Sequence, residues 1–202
     1  MPFDATPSGG GGGGGGGGPS LAGKLLIAMP NMGDPRFRRS VIYMCAHSPD
    51  GALGLIINKH AGQISFPDLL EQLDMKCAPG TEHIRIQLGG PVETGRGFIL
   101  HSDDYFLKGV TMPVKEHVGL TTSLDILRDM AEGKGPQKAL VALGYSGWGP
   151  GQLEYEIQAN AWLHCEADTD LIFSASLESK WELALAKLGI NPGNISGASG
   201  RA

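Results

Sequence analysis

The chain has 202 residues, sixteen Lys and Arg against twenty-one Asp and Glu, and a formal net charge of −5. Hydrophobic residues make up 41% and charged residues 18%, a globular rather than a disordered balance, and no apolar stretch reaches the ~18 residues that a membrane-spanning helix needs. The basic residues form no dense block, so binding to phosphate backbones is not favoured. The amino end lacks a basic segment followed by an apolar one, so no secretory signal is expected. Three cysteines, Cys45, Cys77 and Cys165, cannot form a fully paired framework, and a reducing cytoplasm is the simplest setting.

Residues 1–20 read as a flexible tail, because the run Gly9 to Gly18 loses the most entropy on ordering and offers no side chain to bury. Residues 21–202 are expected to form one domain, since roughly 180 residues suit a single sizeable core. Lys24-Leu25-Leu26-Ile27-Ala28 predicts a buried strand closed by the loop Pro30, Asn31, Gly33, Asp34, Pro35. Ser40 to Ala46 and Ala52 to Asn58 predict two strands joined by Pro49-Asp50-Gly51, where proline and glycine preset the dihedrals of a hairpin turn. Ser65, with Asp68 three residues on, marks a helix start carrying Leu69, Leu70 and Leu73.

Strands are expected at Ile84 to Leu88 and Gly97 to His101, then a helix capped by Thr122 with Asp125 and stopped by Gly133. Ala139 to Leu143 reads as a strand, the glycine-dense stretch after it as a turn, and Gln152 to Ala159 as a helix. Trp162 to Cys165 and Leu171 to Phe173 read as strands, and Glu178 to Leu188 as a last helix ended by Gly189 and Pro192. Adjacent hairpins mixed with unevenly spaced helices lack βαβα alternation. The fold class expected is therefore α+β: a single domain with a mixed, mainly antiparallel sheet and several packed helices.

Four segments could carry chemistry. Asp34-Pro35-Arg36-Phe37-Arg38-Arg39 could grip a carboxylate or phosphate through guanidinium forks, or its arginines could simply pair with Asp34. Cys45 and His47 would share one face of a strand, as a thiolate-imidazolium nucleophile requires, although a cysteine in an apolar strand usually fills a core. His101-Ser102-Asp103-Asp104 could hold an oriented base or a set of polar turn caps. Gly144-Tyr145-Ser146-Gly147-Trp148-Gly149-Pro150-Gly151-Gln152 could nest an anion or let the backbone pass closely around Trp148. Ser146 fails the hydrolase elbow, because Trp148 stands where glycine is needed. No complete metal set and no cofactor motif emerge.

Taken in order, Gly23-Lys24-Leu25-Leu26-Ile27-Ala28, Asp34-Pro35 with Phe37 and Arg39-Ser40-Val41, Gly54-Leu55-Ile56-Ile57-Asn58, Gly89-Gly90-Pro91-Val92, Arg96-Gly97-Phe98 with His101-Ser102, Gly144-Tyr145 with Gly147-Trp148-Gly149-Pro150-Gly151-Gln152 and Asn160-Ala161-Trp162-Leu163 resemble the bacterial YqgE/AlgH family, also called UPF0301. The resemblance implies a cytoplasmic, single-domain α+β protein and transfers no activity. The regulator label attached to some members comes without a recognised DNA-binding motif, and no helix-turn-helix signal occurs here. Members usually carry Ala at the position of Ser146, which removes it as a shared nucleophile. Arg39 matches the family arginine, whereas Arg36 and Arg38 fall at variable positions.

The reading favoured on these grounds is a non-catalytic binding or regulatory module. Its polar groove would be built from Asp34, Arg39, Asn58, Arg96, His101, Trp148, Gln152 and Asn160, for a small anionic ligand or a partner segment. The alternative is an enzyme or thiol-dependent sensor using Cys45 with His47 or His101. Tryptophans 148, 162 and 181 offer a third possibility, a protein partner, with the chain otherwise a monomer or weak oligomer. Neither nucleic acid nor membrane is expected as a partner.

Overall fold

A computed structural model describes residues 19–81, 84–115 and 117–191. Nine strands form one sheet: β1 (Lys24–Ala28), β2 (Val41–Ser48), β3 (Gly51–Ile56), β4 (Ile86–Leu88), β5 (Val92–Ser102), β6 (Met112–Lys115), β7 (Val118–Thr121), β8 (Ala139–Trp148) and β9 (Trp162–Glu166). The helices are α1 (Phe66–Gln72), α2 (Leu124–Ala131), α3 (Gln152–Gln158) and α4 (Lys180–Lys187). Strand order is β6-β7-β5-β8-β3-β2-β1-β9, and β4 pairs with β8 off that path. Every pairing is antiparallel except β4 with β8, so the expected α+β fold with a mainly antiparallel, mixed sheet is the one observed.

Side-chain alternation sorts the apolar residues onto two faces. Leu25, Ile27, Val41, Tyr43, Leu55, Leu100, Leu140 and Ala142 line one face, where Leu171, Ile172, Trp181 and Leu185 cover them. The opposite face is covered in two halves. Leu26, Ile42 and Ile56 meet Leu153 of α3 together with Trp148 and Trp162, while Ile86, Ile99 and Val141 meet α1 and α2. Each fully buried Leu or Ile contributes about 1.5–3 kcal/mol. The sheet curls until its two edge strands approach one another. Lys115 of β6 reaches Glu166 of β9 at 2.7 Å, and Lys24 meets the same carboxylate at 2.9 Å. Lys115 and then Lys24 hold that carboxyl well below the usual range, and charges placed there blunt edges that would otherwise recruit another strand.

Local chemistry explains most element ends. Ser65 and Asp68 form a reciprocal capping box, and the β2–β3 hairpin closes on the Ser48–Gly51 pair. Gly133 and Gly189 follow their helices at φ +72° and +70°. Four expectations need correction. The cap of α2 is Ser123, whose Oγ accepts from Asp125 N, not Thr122. Leu171 to Phe173 is not a strand but part of a π-helical turn, Asp170–Ser174. β6 and β7 form beyond what the apolar pattern predicted, and Pro192 lies outside the described residues.

The fourth correction concerns the glycine-dense stretch: Gly144 to Trp148 is not a turn but the second half of β8. Gly144 takes φ +71°, and a Cβ on it would stand 2.6 Å from the Gly90 carbonyl oxygen and 2.8 Å from that of Val92. Cβ atoms on Gly89 and Gly90 would fall 2.2 Å from Gly144 O and 2.1 Å from the Tyr145 carbonyl carbon. Two backbones therefore cross with no room for a methyl on either. Gly89 N donates to Leu143 O and Gly89 O accepts from Ile56 N, each at 2.8 Å, so the crossing bonds β8 to β3 at the point where β4 takes over along β8. Gly144→Ala is expected to cost roughly 2–5 kcal/mol by strain and overpacking together. Gly133→Ala, with φ +72° but nothing within 4 Å, is expected to cost about 1 kcal/mol. Urea midpoints of the two variants check this, and equal losses would contradict it.

Candidate functional site

The residues nominated from sequence fall into separate settings. Asp34 caps a short 3₁₀ turn, Pro35–Phe37, and accepts both the Arg36 amide, at 2.9 Å, and its guanidinium, at 2.6 Å. Arg36 chiefly, with Lys59 adding a weaker pull, holds the Asp34 carboxyl below its ordinary value. Arg39 occupies the left-handed region at φ +54°, pinned by Asn58, which donates to Arg39 O and accepts from Val41 N, each at 2.8 Å. That backbone turn sends the guanidinium over the Trp181 ring, 4.3 Å from its centroid, and to Glu182 at 2.8 Å. Both partners lie on α4, so Arg39 is an anchor for that helix.

A second group gathers at α3. The Trp148 and Trp162 indoles both donate to Glu156 Oε2, at 3.0 and 2.8 Å, while Gln152 Nε2 donates to Oε1 of the same carboxylate at 2.9 Å. Gln152 Oε1 accepts from Gly149 N at 3.0 Å, which occupies a backbone donor that an anion nest would have used. Asn160, at φ +56°, turns the chain out of α3. Phe37 packs edge-on to Trp162, joining this group to the loop that carries Asp34 and Arg39.

Arg96 and His101 stand apart on β5. Arg96 lies over Phe98 and pairs with Glu93 at 3.3 Å. His101 is buried between Thr121 Oγ1 and the Ser102 carbonyl, each at 2.9 Å, and burial lowers its pKa. Cys45 is buried with its Sγ toward the Tyr43 carbonyl, and desolvation pushes its thiol pKa upward. His47 accepts from or donates to other partners, Leu21 N at 3.0 Å and Glu154 at 2.7 Å. Ser146 Oγ is buried against Gly89 O at 3.3 Å. Among the described residues no three His, Cys, Asp or Glu gather closely enough to hold a metal.

A cleft of about 640 Å³ opens elsewhere, between the start of α4, the Phe173–Leu177 segment, β4 and the start of β8, and none of the eight nominated residues lines it. Among the described residues its walls carry Arg85, Lys138 and Lys180 and no carboxylate, imidazole or thiol. Lys180 is 1% exposed, and its Nζ donates to the Ile172 carbonyl. Neither Lys180 nor Arg85 has a carboxylate partner among the described residues, whereas Lys138 lies 3.6 Å from Asp170. Burial, reinforced by Arg85, lowers the Lys180 pKa to about 8. Gln87, 4% exposed, also forms part of the wall, and its Oε1 accepts no hydrogen bond. A buried cation without a counter-charge and a buried acceptor without a donor are both costly, and here they share one concavity of the size that small ligands fill.

Comparison with known proteins places the chain. A family model described as DUF179, AlgH-like, matches residues 25–193. A UPF0301 protein of Rhodopseudomonas palustris is 55% identical over 189 residues, covering 90% of this chain and 87% of that one. Another from Azorhizobium caulinodans is 53% identical, with 90% and 92% covered. The solution structure of the AlgH protein from Pseudomonas aeruginosa is 41% identical and superposes with a TM-score of 0.74 over 91% of this chain and 96% of that one. A Corynebacterium diphtheriae protein, 18% identical with a TM-score of 0.68, shares the fold over 89% of this chain and 93% of its own. The chain belongs to the AlgH-like, UPF0301 family.

The Lys180 ammonium gives a pH signature. Its folded pKa, about 8, lies below the ordinary lysine value of 10.5. Between those values the unfolded chain binds more protons, so stability rises with pH across that window, by up to about 3 kcal/mol. Below it both states are protonated and the native state carries the full penalty. Urea unfolding of wild type and Lys180→Met from neutral to alkaline pH is expected to show wild type gaining on the variant as pH rises. Parallel curves would contradict the buried, uncompensated ammonium.

Proposed function

We propose that this chain is a non-catalytic binding module that takes a small anionic ligand in the cleft beside α4. The observation that carries this reading is the wall chemistry: in a protein of net charge −5, the described residues lining one concavity include three cations and no carboxylate, and one of the cations is buried without a counter-ion among them. An anion would restore to Lys180 and Arg85 the charge partner that the described residues withhold, through charge-assisted bonds stronger than neutral ones. Arg39 and Asn58 serve the same site at one remove, because they fix α4, whose first residue is Lys180. A reducing cytoplasm, where three unpaired cysteines persist, is the setting that accompanies this reading.

Thermal unfolding with inorganic phosphate tests it. At a concentration about 100 times its dissociation constant, phosphate is expected to add ~2.7 kcal/mol of stability. The gain should vanish in Lys180→Met and Arg85→Ala. Lys180→Met should itself raise the melting temperature of the ligand-free protein, since removing an unpaired buried charge is stabilising. Stabilisation that survives both substitutions, or none at any concentration, would overturn the proposal. A gain abolished by Arg39→Ala but retained in Lys180→Met would instead move the ligand to the groove nominated from sequence.

The thiol alternative is separable. Cys45 is 3% exposed and its thiol pKa is raised by burial, so iodoacetamide is expected to modify it only as fast as the protein unfolds. Modification of native protein faster than that of a free thiol, whose pKa is ~8.5, would restore thiol chemistry as the leading reading.

A further inference from the structure

Resting on the anion-binding reading, we propose that the ligand class of this cleft is a small dianion that also carries a hydroxyl group, with Gln87 as the residue that selects the hydroxyl. Two features of the wall ask for two different ligand groups. Lys180 and Arg85, both without a carboxylate partner among the described residues, match a centre bearing two negative charges, such as a phosphomonoester or a pair of carboxylates. Lys138 adds a third cation, already shared with Asp170 at 3.6 Å. Gln87 Oε1 asks for the opposite kind of group. It is an acceptor, its side chain is 4% exposed in the wall, and no donor among the described residues reaches it.

The donor that completes Gln87 belongs to the ligand, and its chemistry is narrowed by its neighbours. A ligand ammonium would be repelled by Lys180 and Arg85, most strongly by the buried Lys180, because like charges brought together with little water between them are strongly disfavoured. A neutral hydroxyl is not repelled. It can donate to Gln87 Oε1 while the anionic group of the same molecule faces the cations. A site built around a buried hydrogen-bonding group discriminates most strongly against the analogue lacking the matching partner, since that analogue leaves the group desolvated and unpaired. Gln87 sits on β4, whose backbone is held against β8 by the pairing Gln87–Ala142, so the residue is presented by the sheet rather than by a loop.

The test uses two matched pairs of probes on the full chain by isothermal titration: malate against succinate, and glycerol 3-phosphate against n-propyl phosphate. The hydroxylated member of at least one pair is expected to bind roughly five-fold or more tightly; the pair with the larger preference identifies the anionic group. In Gln87→Met that preference should collapse to near unity while the affinity for the unhydroxylated member stays within about two-fold. The wild-type comparison needs no variant, so the proposal can be tested even if Gln87→Met folds poorly. Equal binding within both pairs would overturn the hydroxyl inference and leave the anion site standing. Failure of all four probes, or binding undiminished in Lys180→Met, would overturn the anion site itself.

Discussion

The crossing of Gly89-Gly90 over Gly144-Tyr145 is the constraint on which the rest of the fold depends. At that point β3 ends against β8 and β4 continues along the same side of it, in the opposite direction. The handover is possible only because Gly89, Gly90 and Gly144 carry no Cβ at the crossing, where an added one would meet backbone atoms at 2.1–2.6 Å. Its hydrogen bonds tie Leu143, Gly89 and Ile56 into one line, so the half of the sheet containing β1 to β3 and the half containing β5 to β7 become a single curled surface. The same crossing sets β4 in register with β8 and so places Gln87 in the wall of the cleft.

The cleft then gathers what the rest of the chain satisfies elsewhere. Outside it, charged groups find opposite partners: Arg36 with Asp34, Arg39 with Glu182, Lys115 and Lys24 with Glu166. Inside it, a lysine is buried at the first position of α4, where the helix dipole also disfavours a cation. α4 is not free to shift and release that charge to water. Trp181 Nε1 donates to the Ala28 carbonyl at 2.8 Å, Arg39 stacks on the same indole, and Ala184 and Leu185 are fully buried. Local rules broken in a rigid frame are where function is most economically sought.

Much of the fold was legible because it rests on short-range chemistry. The capping box at Ser65, the two-residue hairpin after Ser48 and the stop at Gly133 each follow from a few adjacent residues. β6 and β7 were not legible, since Pro113 and Gly119 interrupt two short strands near the sheet edge, and the apolar residues of β7, Val118 and Leu120, are recognisable only once β5 pairs with them. The Gly144–Trp148 stretch misled because glycines that allow a backbone crossing look like glycines that make a turn. The site was less legible still. Asp34, Arg39 and Asn58 stood out as polar residues in loops, yet Asp34 is engaged with Arg36, Asn58 holds the Arg39 backbone, and Arg39 contacts α4. Lys180 was not singled out in the sequence, although its spacing from Leu177 and Ala184 puts it on the buried stripe of the helix. That spacing was the available signal. Arg85 and Gln87 had none, because their meeting with Lys180 across the cleft is made by the sheet topology.

The most direct measurement of the central claim, that the Lys180 cleft holds an anion, is a phosphate titration followed by ¹⁵N NMR. The account predicts that the Gln87 side-chain amide and the backbone amides of Ser174 to Leu177 and Lys180 shift together along one binding curve, while those around Trp148 and Gln152 stay still. Shifts confined to the α3 surface, or spread evenly over exposed lysines and arginines, would contradict it.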